Sequence, residues 1–362
     1  MIDKDTIEKI VREYNDLTIV VLGSHSALEI MDGAKDEGLK TLVICQKGRE
    51  KPYQRFKRIA DDILILDKFE DILKPENQIL LKRKNSIIIP HRSFIVYLGY
   101  DAIENDLLLP IFGNRMLFRA EERSEARNQY YLLEKAGIKH PRILKPEEID
   151  APSIVKVQEA ERRLERAFFI VNSYEDYKKK SEEKIKKGLV NREGLKNSII
   201  EELLIGTYFN FNFFNSVINE RVEFLGIERR LQTNLYDFVN IPAREQLEMD
   251  IELQNIEIGH IPASIRESML EKVIDIGDRF VEACKEEYNP GLIGPFSLQS
   301  VVTKDLEIIV YDVSLRVPGN PILATTSPYS KYMYGKIFGV GRRIAMEIKE
   351  AFDNDMINSV IT

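Results

Sequence analysis

The chain has 362 residues, of which 44% are hydrophobic and 31% charged, with no tryptophan and a formal net charge of −7. That length predicts two or three domains; the acidic balance argues against a nucleic-acid surface, which needs a basic footprint. No apolar run approaches the ~18–20 residues of a membrane span, the start of the chain lacks the basic-then-apolar order of a signal peptide, and Cys45 and Cys284 make neither a metal cluster nor a disulfide framework, so a cytoplasmic protein is expected.

Thr18 to Leu22 forms a short run of buried type. Gly23-Ser24-His25-Ser26 follows, then a helical run over 27–37 closed by Gly38. Further strands are predicted at 39–45, 63–66 and 86–89. Strands alternating with helices imply a parallel, doubly wound sheet, which binds ligands beyond the carboxyl ends of its strands. Two loops fall there, Gly23-Ser24-His25-Ser26 and Pro90-His91-Arg92-Ser93. Hydroxyls and amides at a helix N-terminus suit a phosphate; the alternative for His25 and Ser26 is plain N-capping. The spaced glycines of a dinucleotide fingerprint are absent. The basic stretch 47–58 either gathers phosphate or is simply solvated. A helix over 121–136, ended by Gly137, marks a first domain boundary near residues 120–125.

A strand at 153–157 carries Lys156 in an apolar setting. The segment 158–167 has no glycine and consists of good helix formers, with Glu161 and Glu165, and Arg162 and Arg166, at i, i+4. It reads as a solvated helical connection, or as a source of arginine charge for a phosphate. A strand at 168–171 and a charged helix over 174–187 precede a strand at 198–207 that holds Glu201 and Glu202. Strands with aromatic alternation follow at 208–217 and 222–228. The stretches 241–249 and 257–262 read as loops. A helix over 265–287 presents Met269, Val273, Ile276 and Phe280 as a core stripe, and a last helix is expected over 332–352, with Gly339 and Gly341 inside it or at its start.

Near the C-terminus, two β-rich runs, 294–302 and 306–313, flank Thr303-Lys304-Asp305 and predict a hairpin. If Gln299 lies opposite Val310 or Asp312, then Gln299 and Asp312 share a face. A buried carboxylate needs a partner or a cation. With Arg316 and Asn320 close behind, the residues read either as a magnesium–phosphate site or as an edge hairpin whose Asp312 pairs with Arg316.

Taken together, these segments resemble the ATP-grasp superfamily, and within it the archaeal formate-dependent synthetases that formylate aminoimidazole carboxamide ribotide (AICAR). The resemblance is carried by Leu22-Gly23-Ser24-His25-Ser26, Lys47-Gly48-Arg49, Pro90-His91-Arg92-Ser93-Phe94, Phe112-Gly113-Asn114-Arg115, Ile154-Val155-Lys156, residues 241–249, Ile265-Arg266-Glu267-Ser268 and Gly294-Pro295-Phe296-Ser297-Leu298-Gln299-Ser300. It implies a mixed α/β and α+β chain of ATP-grasp architecture. An N-terminal doubly wound domain would span 1–122, a small lobe 123–205 and a C-terminal lobe 206–362. It also implies a ligase that makes formyl phosphate from ATP and formate and passes the formyl group to the ribotide amine. His25, Ser93 and His260 would contact the ribotide. Lys156, Glu201, Glu202, Leu204 and Gln232 would contact ATP, and Gln299 and Asp312 would hold Mg²⁺. A homo-oligomer, with no nucleic-acid or membrane partner, is expected. Here His260 stands where the family pattern has Asn, Gln232 where it has an acidic residue, Asp312 where Glu is usual, and residues 158–167 lack glycine. A non-catalytic paralogue that binds a purine ribotide or an active relative is the alternative.

Overall fold

The computed structural model describes residues 1–157, 168–232, 240–249 and 257–362. Strands β1 (Thr18–Leu22), β2 (Lys40–Gln46), β3 (Asp62–Leu66) and β4 (Ser86–Ile88) form a wholly parallel sheet in the order β3-β2-β1-β4. Every residue of β1 is buried, which accounts for its unbroken apolar sequence: helices cover both faces. Because β1 and β4 are neighbours, the loops at their carboxyl ends, 23–26 and 90–93, lie side by side.

A second sheet, in the order β5-β8-β6-β7, joins β5 (Ile143–Leu144), β6 (Ser153–Lys156), β7 (Phe168–Val171) and β8 (Ile199–Glu202). Its central pair, β6 and β8, carries Lys156 and Glu201. The third sheet is antiparallel, in the order β11-β10-β9-β12-β13, and comprises β9 (Thr207–Ser216), β10 (Arg221–Gln232), β11 (Glu257–Ala263), β12 (Gly294–Val302) and β13 (Ile308–Ser314). Its two faces follow the period-two alternation of its strands. Phe211, Phe213, Phe224, Phe296 and Leu298 pack against Val273, Ile276 and Phe280 of the helix Leu270–Glu287. On the opposite face, a polar row crosses the strands: Glu228 opposite Asn210, Asn210 opposite Gln299, and Gln299 opposite Asp312.

Four sequence expectations are corrected. The helix over 121–136 is a 3-10 turn, Phe118–Glu121, followed by a shorter helix, Gln129–Lys135. The Asn128 side chain accepts from the backbone amides of Tyr130 and Tyr131 and so starts the helix there. Residues 257–262 are not a loop but edge strand β11; Pro262 is tolerated there because an edge has no second ladder to supply. The stretch 241–249 contains a helix, Ala243–Glu248. The terminal helix is split into Pro328–Tyr334 and Val340–Asp353, since Gly335 adopts the left-handed conformation (φ +69°) and ends the first piece.

The helices Ala27–Asp36 and Val340–Asp353 cross in backbone contact. A Cβ on Gly33 would lie 2.1 Å from Arg342 N, and one on Gly341 2.3 Å from Glu29 O. This crossing joins the parallel sheet to the large antiparallel one in a shared core that includes Phe112, Phe214 and Ile348.

Candidate functional site

Gln299 lies directly opposite Asp312, one of the two pairings expected, with a β-bulge just beyond it. Strand β13 is an edge strand, as the edge-hairpin alternative expected, but among the described residues Asp312 pairs with Arg123 and not with Arg316. Its Oδ1 accepts from Arg123 Nη2 at 2.8 Å and from Gln129 Nε2 at 3.3 Å. Arg316 instead approaches Glu121 Oε1, at 3.4 Å. Gln299 is 2% exposed and its Oε1 has no hydrogen-bond partner, an arrangement that costs about 1–3 kcal/mol unless something binds there. Among the described residues, no three His, Cys, Asp or Glu side chains come together to hold a metal. A cation at this position would therefore take few protein ligands, which is how Mg²⁺ sits when phosphates and waters complete its octahedron.

Lys156 is ion-paired with Glu201, and Glu201 also accepts from Tyr130 Oη. Burial pushes the Lys156 pKa down, while the Glu201 carboxylate opposes that shift. Arg123 lies between the two carboxylates, with Nε 3.7 Å from Glu201 Oε1 and its guanidinium 5.8 Å from the Tyr130 ring centroid. A chain of charges thus runs from Lys156 through Glu201 and Arg123 to Asp312. Glu202, half-buried, lies 3.5 Å from Arg142 Nε. The Leu204 carbonyl accepts from Tyr208 Oη at 3.1 Å. Gln232 ends β10 opposite Glu257, where the β10–β11 register shifts. Residues 158–167, the expected helical connection after Lys156, lie outside the described residues.

At the parallel sheet, His25 has φ +51° and its Nδ1 is 2.6 Å from Ser26 Oγ. Ser26 makes no capping bond, so the plain N-cap reading fails; its hydroxyl donates to Pro318 O at 3.0 Å. Ser26 Oγ must then accept from His25 Nδ1–H, which leaves Nε2 as the ring's acceptor. The His25 side chain is exposed, but the protein packed around it and the neighbouring Arg316 charge lower its pKa, which favours the neutral ring. It stacks on His91, with ring centroids 5.6 Å apart, and Ser93 Oγ donates to Ser24 Oγ at 3.0 Å.

His260, on β11, is the opposite case. Its Nδ1 lies 3.0 Å from Glu228 Oε2 and its Nε2 2.9 Å from Glu257 Oε1. Burial lowers its pKa, but the two carboxylates more than offset that and hold it up at about 9. Asn210 Nδ2 donates to the other oxygen of Glu228 at 2.6 Å. Arg316 is close enough to Asp312, Arg92 and Arg230 to feel all three charges, and His25 feels Arg316 and His260. Polar and charged side chains therefore form a row from the small sheet, along the polar face of the large sheet, towards the loops of the parallel sheet.

The sequence reading did not single out Arg123, Gln129, Tyr130, Asn210 or Glu228. Asn210 had a visible signal: in Phe209-Asn210-Phe211-Asn212-Phe213 an amide alternates with phenylalanine, the mark of a sheet with one dry and one polar face. Arg123 had none, because the helix expected there gave it no tertiary partner.

Residues 19–144 match a family model described as "Protein of unknown function (DUF1246)", and residues 176–362 one described as "Domain of unknown function (DUF1297)". Curated relatives include the 5-formaminoimidazole-4-carboxamide-1-(beta)-D-ribofuranosyl 5'-monophosphate synthetases of Methanopyrus kandleri, 42% identical, and Methanocaldococcus jannaschii, 43% identical, each over 100% of both chains. Among solved structures, the IMP biosynthesis protein PurP of Thermococcus kodakaraensis superposes with a TM-score of 0.71 at 28% identity, over 95% of this chain and 100% of that one. An ADP complex of N5-carboxyaminoimidazole ribonucleotide synthetase shares the fold, with a TM-score of 0.61 at 13% identity, over 90% of this chain and 78% of that one. Among the described residues, no helix is long and apolar enough to cross a membrane.

Proposed function

The chain belongs to the family of 5-formaminoimidazole-4-carboxamide ribofuranosyl monophosphate synthetases, and on that premise we propose that it is an ATP-dependent ligase that formylates AICAR with formate. The observation that carries this reading is full-length identity of 42–43% to these synthetases, and the row of charges from Lys156 through Glu201 and Arg123 to Asp312 supports it.

In the first step a formate oxygen bonds to the γ-phosphorus of ATP as the bond to ADP breaks. In the second, the ribotide amine bonds to the formyl carbon, the carbon–oxygen bond to phosphate breaks, and the amine loses a proton. Phosphoryl transfer is governed by positioning and charge neutralisation, and this row of charges is suited to both. Lys156 and Arg123 offer cations beside the Asp312 carboxylate; to meet phosphate, Lys156 exchanges its Glu201 partner for the nucleotide. The strand segment from Glu201 to Leu204 would border the adenine, with Gln232 nearby. The orphaned Gln299 Oε1 and the Asp312 carboxylate facing it fit a hard cation and would hold Mg²⁺, which supplies charge neutralisation to the phosphates when bound. His25, Ser93 and His260 would border the ribotide. The neutral His25 offers it an acceptor at Nε2, and the partly buried Arg316 and Arg92 offer charge for its phosphate.

ADP release should require ATP, formate and AICAR together. Ribotide binding without ADP release under any combination of the three would instead identify a non-catalytic relative.

A further inference from the structure

Asn320 is completely buried, at 0% exposure, and among the described residues neither its Oδ1 nor its Nδ2 has a hydrogen-bond partner. Buried primary amides are ordinarily paired, and leaving both ends of one empty is costly. The backbone around it is well fixed. The Leu323 amide donates to the Asn320 carbonyl at 3.1 Å, Pro318 O accepts from Ser26, and Val317 bridges to His91. Gly319 packs so closely on the His25 ring that a Cβ there would lie 2.8 Å from His25 Cε1. The orphaned amide therefore belongs to the segment that packs on the His25 loop. Other side chains along the row also leave buried polar atoms unpartnered, among them Gln299 Oε1, Asn212 Oδ1 and His91 Nδ1. Buried polar atoms left without partners are the groups that a polar ligand would satisfy.

The hydrogen-bonding needs of this amide narrow the ligand. Nδ2 needs an acceptor and Oδ1 needs a donor, on adjacent atoms. A phosphate or a carboxylate supplies acceptors only and would leave Oδ1 unsatisfied. A planar amide supplies both in the matching geometry, as does the adenine edge that asparagine reads in DNA. The adenine edge is the less suited of the two, because the nucleotide end of the row lies at Lys156 and Glu201. The products named for the relatives carry a carboxamide beside the formylated nitrogen.

We propose that Asn320 is a specificity-determining residue that recognises the ribotide's carboxamide by a paired amide–amide contact and so fixes the neighbouring amine. This inference rests on the proposed ligase reading. Anions along the same wall fall to Arg316 and Arg92, and the amide is left to Asn320. A site built to pair a polar group discriminates strongly against an analogue that lacks it.

The test is calorimetric binding of AICAR, of the aminoimidazole ribotide without the carboxamide, and of Mg-ATP, to the wild type, Asn320→Ala and Asn320→Leu. Wild type should bind AICAR more tightly than the analogue. Both variants should lose about ten- to a hundredfold in AICAR affinity and keep their affinity for the analogue and for Mg-ATP. The apo melting temperature of Asn320→Leu should hold or rise, because an apolar side chain of similar shape replaces an amide with no partner. Unchanged AICAR affinity, an equal loss for AICAR and the analogue, or a loss confined to Mg-ATP would overturn the assignment. A wild type that binds neither ribotide would remove the ligase reading itself and this inference with it.

Discussion

His260 shows how little a single residue type says before its neighbours are known. Its position in Gly259-His260-Ile261-Pro262 was legible, but its charge was not, because Glu228 lies across a strand pairing that only the β10–β11 register defines. Between Glu228 and Glu257 its pKa stands at about 9, above the ordinary 6.5. The sign follows directly. The folded protein binds this proton more tightly than the unfolded chain, so the stabilisation is complete below pH 6.5 and is lost as pH rises through 9. The shift corresponds to roughly 3 kcal/mol. His260→Gln should therefore be less stable than wild type at pH 6, and the gap in melting temperature should close by pH 10. A gap that persists unchanged at pH 10 would mean that His260 contributes by packing and not by charge.

At the scale of elements, the crossing of helices Ala27–Asp36 and Val340–Asp353 holds the His25 loop against the rest of the molecule. Glu29 lies two residues into the first helix, and its Oε1 accepts from the Gly341 amide at 2.6 Å at the start of the second. Gly341→Ala would place a Cβ 2.3 Å from Glu29 O and 2.6 Å from Ile30 Cα, both backbone atoms that cannot turn aside. The expected cost is about 3 kcal/mol, read as a lower denaturation midpoint, with weaker ribotide binding because the His25 loop moves with its helix. A midpoint equal to wild type would show that the helices can part without cost. The parallel sheet was legible because its strands are unbroken apolar runs separated by helical ones. The split of the last helix was not placed, although Gly335, Gly339 and Gly341 were there to see, since sequence alone does not say which glycine turns left-handed. Strand β11 was hidden by its composition: Gly259 and Pro262 read as turn residues, and only an edge position reconciles them with a strand.

For the molecule as a whole, the ordering of the sheets along the chain and the C-terminal hairpin were readable, and the hairpin's register came out as one of the two expected. What could not be read was how the sheets meet. The link runs through Arg123, which is held by Asp312 of the large sheet and Glu201 of the small one, and it depends on residues 122–128 not being helical. That junction brings Lys156 and the hairpin carboxylate onto one line of charge, the arrangement on which the proposed activation of formate as formyl phosphate, and its capture by the ribotide amine, rests. The direct measurement uses formate labelled with ¹⁸O at both oxygens, with ATP and AICAR, and mass analysis of the products. Transfer through formyl phosphate places one labelled oxygen in the inorganic phosphate and leaves the other in the formamide. Phosphate released without label, alongside ADP, would contradict the account.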